Sequence, residues 1–279
     1  MSASHQVFTG FAMTVLTGVA ALLTTLWATL MFGLLSSGAA AYTFPHRFPH
    51  DIDSPVLALE LAREKSEVDA VLHRHDSADA HARAERALRL NTVLDLVFIP
   101  LYVAYLVLLA QLFGGVRLWV LAAIIGAAIF DYLEDVLIFA TLNGAEPLAF
   151  IPSLVKWGLL AVAFIGIGAS LLRGAATVYA FATHALLGLA HLAAAVLILL
   201  AIACGWFLGY SWLELGTKLF ALTVLVNVAG LLGPLVARWF PGRDITYIDD
   251  FCRKRQMGLI SGPAIRTTPV TEATKKEGE

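Results

Sequence analysis

The sequence predicts an all-α, polytopic membrane protein with about six transmembrane helices, on three observations. Hydrophobic residues make up 59% of the 279, charged residues only 14%, and mean hydropathy is +0.77, all outside the range of soluble globular chains. Six apolar runs each reach the roughly 20 residues that cross a hydrocarbon core. Charged residues fall mostly between those runs, with one small group inside them. The lipid bilayer is thus the partner that composition demands, and a net charge of −2 without a long basic run argues against nucleic acid.

The first span runs from Phe8 to Leu35 within a leading unit of residues 1–38. Ser37 to Ala41 ends in small residues of the kind a signal peptidase cleaves. The apolar stretch is about twice a normal signal core, however, and no Lys or Arg precedes it, which favours a retained helix. Thr14, Thr17, Thr24, Thr25 and Thr29 are expected to return hydroxyl hydrogen bonds to their own helix backbone.

Residues 39–90 form an extracytoplasmic, mostly helical segment. Phe44, Pro45, Phe48 and Pro49 mark an irregular start. Ser54 before Pro55 supplies a capping hydroxyl and a proline suited to the first helical turn, and Ser66 with Asp69 offers a second cap. Leu57, Leu61, Val68, Val71 and Leu72 give apolar faces for the membrane surface or the tops of the spans. No breaker intervenes between Ser77 and Pro100, so a further helix runs into the second span.

Residues 91–240 carry a five-helix transmembrane bundle, with spans at Val93 to Phe113, Leu118 to Leu142, Ile151 to Leu172, Thr177 to Leu208 and Leu219 to Ala237. The span beginning at Thr177 exceeds the bilayer's need and must tilt or project. Gly166, Gly168, Gly188 and Gly230 allow close helix contact, and Asn227 reads as an interhelical hydrogen-bonding residue. Residues 241–279 read as a partly disordered cytoplasmic tail.

Orientation follows from Lys and Arg in short loops. Arg117, Arg173 and the basic tail fall on one side, whereas residues 143–150 and 209–217 on the other contain neither Lys nor Arg. Both termini are therefore expected in the cytoplasm. Arg83, Arg86 and Arg89 oppose this, although residues 39–90 hold nine acidic against seven basic residues.

Asp131, Glu134 and Asp135 interrupt the third span at i, i+3 and i+4, which gathers them on one helical face. A carboxylate at mid-membrane costs about 2.5 to 3.5 kcal/mol on insertion scales, so three need compensating contacts. Topology brings Asp95 and Tyr102 of the second span, on a stripe with Asn91 and Tyr105, and Lys156 of the fourth to the same depth. Two readings stay open. In one, Lys156 pairs with an aspartate and the group fixes helix packing. In the other, it lines a watery cavity that binds a cation or polar headgroup, or relays protons that the excess carboxylates share.

His46, His50, His73, His75 and His81 crowd the outer segment. His73, His75 and His81 are the weak metal candidates; their spacing fits no zinc signature, and surface histidines are the simpler reading. His184 and His191, seven apart, face one way, which permits haem but equally suits packed histidines. Cys204 and Cys252, a whole membrane crossing apart, do not predict a disulfide, and Cys252 beside Arg253-Lys254-Arg255 is a candidate for acylation. No cofactor is readable. No nucleophile elbow, HExxH helix, phosphate loop or C-x-x-C pair occurs, and no internal repeat is evident.

Leu57-Ala58-Leu59-Glu60-Leu61-Ala62, the stretch from Asp95 to Tyr105, and Asp131-Tyr132-Leu133-Glu134-Asp135 together resemble a group of uncharacterised bacterial multi-pass membrane proteins. In that group the last motif more often reads Asp-x-x-Glu-Asn, so Asp135 departs from it and adds a charge. The resemblance covers the first half of the chain and implies a bacterial inner-membrane protein without a known activity. The function expected first is a membrane binding or transport-related component using the carboxylate cluster on a cation, proton or lipid headgroup. The alternatives are a membrane-embedded enzyme acting on a lipid, and a structural subunit or scaffold with a membrane-protein partner or a second copy.

Overall fold

The computed structural model describes residues 3–38, 52–72, 77–112, 117–175, 181–208 and 210–237, and nearly all of them are helical. The helices are α1 (Ala3–Gly38), α2 (Pro55–Glu60), α3 (Lys65–Val71), α4 (Ala78–Leu112), α5 (Leu118–Leu142), α6 (Phe150–Ala175), α7 (Phe181–Leu208) and α8 (Ser211–Ala237). Five of them, α1, α4, α6, α7 and α8, are long and apolar enough to cross a membrane. The 25-residue α5 has the length as well, and its three carboxylates are buried. The chain is a multi-pass helical membrane protein.

Each long helix packs on its neighbours in chain order, and α8 returns to α1, so the six close into a ring. Outward faces are apolar, as at Leu26, Ile129, Val136 and Ile151, where lipid replaces a protein partner. Along α6 and α7 the backbones touch. A Cβ added to Gly168 would lie 2.9 Å from the Gly188 carbonyl oxygen, and one on Gly188 would lie 3.0 Å from that of Gly168, so only glycine fits at either position. Gly166 likewise leaves room for Trp119 and Val120. The side chain positions of Gly230 and His184 lie outside the described residues, as do His46, His50, His73, His75 and Cys252.

Helix α1 forms a wall of the ring, packing on both α4 and α8. Thr17, Thr24, Thr25 and Thr29 donate to carbonyls four residues back, as expected of hydroxyls in an apolar helix. The Trp27 indole crosses to the Leu94 carbonyl on α4 at 2.9 Å. Further along α4, Pro100 lacks an N–H and so frees the carbonyl of Leu96. The Tyr132 hydroxyl of α5 donates to that oxygen at 3.3 Å, which ties α4 to α5 where the helix would otherwise be weakest.

Two expectations need correction. Helix α8 starts at Ser211, not Leu219, because Glu214 and Lys218 belong to its first turns. They pair at 2.8 Å, and buried Glu214 also accepts the Asp53 amide at 2.9 Å. Second, Ser66 lies inside α3 and does not cap it; Glu67 accepts the amides of Arg63 and Glu64 there instead. Ser54 does cap α2, accepting from the Leu57 amide ahead of Pro55. Of the two places the sequence left open for α2 and α3, the membrane surface and the tops of the spans, the structure takes the second. Leu57, Leu61, Val68, Val71 and Leu72 are all buried in the common core, so the pair forms a cap over one end of the ring. Arg63 anchors it by donating to the Tyr210 hydroxyl at 2.7 Å while lying 4.4 Å over the Phe150 ring. At the same end Arg89 donates to the Leu142 carbonyl and the Asn143 side chain, joining α4 to the end of α5.

Candidate functional site

The i, i+3, i+4 spacing on α5 does what it predicts. Asp131, Glu134 and Asp135 are 5%, 1% and 2% exposed, while Tyr132, Leu133 and Val136 between and after them are 41%, 44% and 62% exposed. One face of α5 thus enters the ring and the other meets lipid.

Lys156 of α6 meets that inward face. Its ammonium lies 2.7 Å from Glu134 Oε1, 3.0 Å from Asp131 Oδ1 and 3.3 Å from Glu60 Oε2. The ammonium donates to Glu134 and Glu60 and forms an ion pair with Asp131. The charge also lies 4.9 Å from the centre of the Trp157 ring. Tyr102 of α4 completes the group by donating to Asp131 Oδ2 at 2.8 Å. Lysine therefore pairs not with one aspartate but with three acids, two from α5 and one from α2.

Glu60 is the member that sequence reasoning missed. It is the last residue of α2, and it is held from two sides: Ser153 donates to its carbonyl at 3.2 Å, and Trp157 donates to its carboxylate at 3.3 Å. The cap thereby delivers a carboxylate into the membrane part of the bundle. The available signal was a single acid within the apolar run Leu57 to Ala62.

Beside this cluster lies a cavity of about 490 Å³, bounded by α1, α4, α6, α8 and the cap. Thr24, Thr25 and Thr29 of α1 and Thr217 of α8 supply hydroxyls; Phe98, Leu160, Phe220 and Val224 make much of the wall apolar. Asp95, Asp131, Glu60 and Lys156 also face it. Asp95 differs from the others: it makes no hydrogen bond or ion pair among the described residues, although it lies within electrostatic reach of Asp131, Asp135 and Lys156. Deeper in the protein, Glu134 Oε2, Asp135 Oδ2 and Asn91 Oδ1 are buried without a hydrogen-bond partner. Asn91 therefore leaves its carbonyl unmet rather than satisfying the acids.

The remaining polar residues have structural partners. Asn227 donates to the Tyr105 hydroxyl at 2.8 Å and to the Thr223 carbonyl at 3.0 Å, linking α8 to α4 and taking Tyr105 out of the acidic stripe. His191 is bonded to the Leu187 carbonyl and stands edge-on to Phe164 and Phe220. His81 meets the Leu72 carbonyl at 2.8 Å and Glu85 at 3.6 Å, which joins α4 to the end of α3. Among the described residues no group of three His, Cys, Asp or Glu side chains has the arrangement of a metal site. No protein-family model, curated protein or solved structure matches the chain.

Proposed function

We propose that the protein is a membrane binding or transport-related component that takes up a cation in the cavity beside the carboxylate cluster. The observation that carries this is Asp95, a carboxylate facing an open cavity while the one nearby ammonium among the described residues is engaged by Glu60, Asp131 and Glu134. Five carboxyl groups surround a single Lys156, counting Asp135. Uncompensated buried charge costs several kcal/mol per ion even after relaxation, so this site favours a positive partner, a cation or shared protons. Purely structural clusters are instead closed by their own partners, as Asn227 and Tyr105 are.

The direct test uses purified protein in lipid nanodiscs titrated with rubidium, tetramethylammonium and benzyltrimethylammonium chlorides. At least one should bind, and Asp95→Asn should weaken it about tenfold or more, the loss of one desolvated charge pair. Equal binding by wild type and Asp95→Asn overturns the assignment.

We further propose that the capped end faces outward, with both termini in the cytoplasm of a bacterial inner-membrane protein. Arg117 and Arg173 lie at the opposite end from the cap, in agreement with the charge rule. In a cysteine-free background, Asp69→Cys and Gly144→Cys should react with an impermeant thiol reagent in intact cells. Labelling of neither in intact cells, with labelling of both after lysis, reverses the orientation.

A further inference from the structure

We infer that the occupant of this cavity is an organic ammonium carrying an apolar, aromatic-sized body and no phosphate, rather than an inorganic ion or a phospholipid headgroup. This deepens the cation-binding reading and rests on it. Three observations carry the choice. A volume of about 490 Å³ matches ligand pockets for organic molecules and would leave a bare ion largely uncontacted. An inorganic cation also needs several converging oxygens, whereas the three carboxylates that do converge here are occupied by the Lys156 ammonium.

The wall is the second observation. Phe98 and Tyr102 follow Asp95 at i+3 and i+7, on the same face of α4, with ring centres 5.5 Å apart. Phe220 lines the cavity from α8. Its position is fixed by stacking on Phe164 at 4.4 Å. Aromatic faces near a lone carboxylate suit an ammonium, which gains from the ring quadrupole and from the charge together. Asp135, 2% exposed and without a partner for Oδ2, is a further carboxyl group within electrostatic reach of Asp95 and Asp131. The third observation is the excess of negative charge itself. A phospholipid would bring its phosphate beside Glu60, Asp95 and Asp131 with no free cation among the described residues to receive it.

The experiment extends the nanodisc titration. Benzyltrimethylammonium should bind about tenfold or more tightly than tetramethylammonium or rubidium, in line with added ring contacts and buried area. Val224→Phe, which fills the cavity, and Phe220→Leu, which keeps its apolar bulk without the aromatic face, should each weaken benzyltrimethylammonium by a larger factor than rubidium. Enriching the nanodiscs in phosphatidylethanolamine should not alter the affinity. Tight rubidium binding with weak benzyltrimethylammonium overturns the organic assignment and keeps cation binding. Competition by phosphatidylethanolamine overturns the phosphate-free assignment. Failure of all three cations removes the cation-binding reading itself.

Discussion

Lys156→Met is expected to destabilise the protein by about 3 to 5 kcal/mol, the cost of breaking a buried ion pair from one side. The size follows from asymmetry. One ammonium at 2.7 to 3.3 Å from three acids is the only cation paired with them among the described residues, so its loss strands Glu60, Asp131 and Glu134 together. Glu134→Gln removes one of those acids and leaves Lys156 with two; it should cost far less, about 1 kcal/mol. Combining the two changes should recover part of the loss, since the partners are in contact and cannot behave additively. Thermal unfolding in detergent measures all three variants. A Lys156→Met protein as stable as wild type would show that the lysine does not hold the cluster together.

Glu60→Ala is the second large effect, and its readout is local. The substitution removes the bonds from Lys156 and Trp157, about 1.5 to 3 kcal/mol for the charged contact alone. Relief of repulsion among the remaining acids offsets part of this, so the bundle should stay folded. The cap should not stay closed. Arg63 to Tyr210 and Asp53 to Glu214 would be its main remaining polar ties. Proteolysis within residues 52–72 should accelerate roughly tenfold for each 1.4 kcal/mol by which the opening equilibrium shifts. Limited digestion in nanodiscs, with Ser153→Ala for comparison, reads this. Unchanged cleavage in Glu60→Ala would show that the Glu60 carboxylate does not hold the cap closed.

The two ends of the chain's logic were unequally legible. Helix α5 matches its expected bounds, Leu118 to Leu142, because Arg117 and Asn143 bracket a run that is apolar apart from its three acids. The inward direction of Asp131, Glu134 and Asp135 follows from helical spacing, a local property. So does the retained helical role of the α1 threonines. Glu60 was not legible because α2 has six residues, too few to show a periodicity, and its partner Lys156 is 96 residues away. The same limit hid the true start of α8: Glu214 and Lys218 look like loop charges until the Asp53 amide from the cap is seen to bind Glu214. The unpaired state of Asp95 is likewise a tertiary fact, set by Lys156 reaching three other acids first.

The measurement closest to the central claim is the location of a heavy-atom ligand. Crystals of the wild-type protein soaked with 4-bromobenzyltrimethylammonium should show an anomalous bromine peak within the cavity, between Phe98 and Phe220, with the ammonium toward Asp95. Crystals of Asp95→Asn should lack it. A peak on the lipid-facing surface, or one in the cavity that persists undiminished in Asp95→Asn, would contradict a cation site built on that carboxylate.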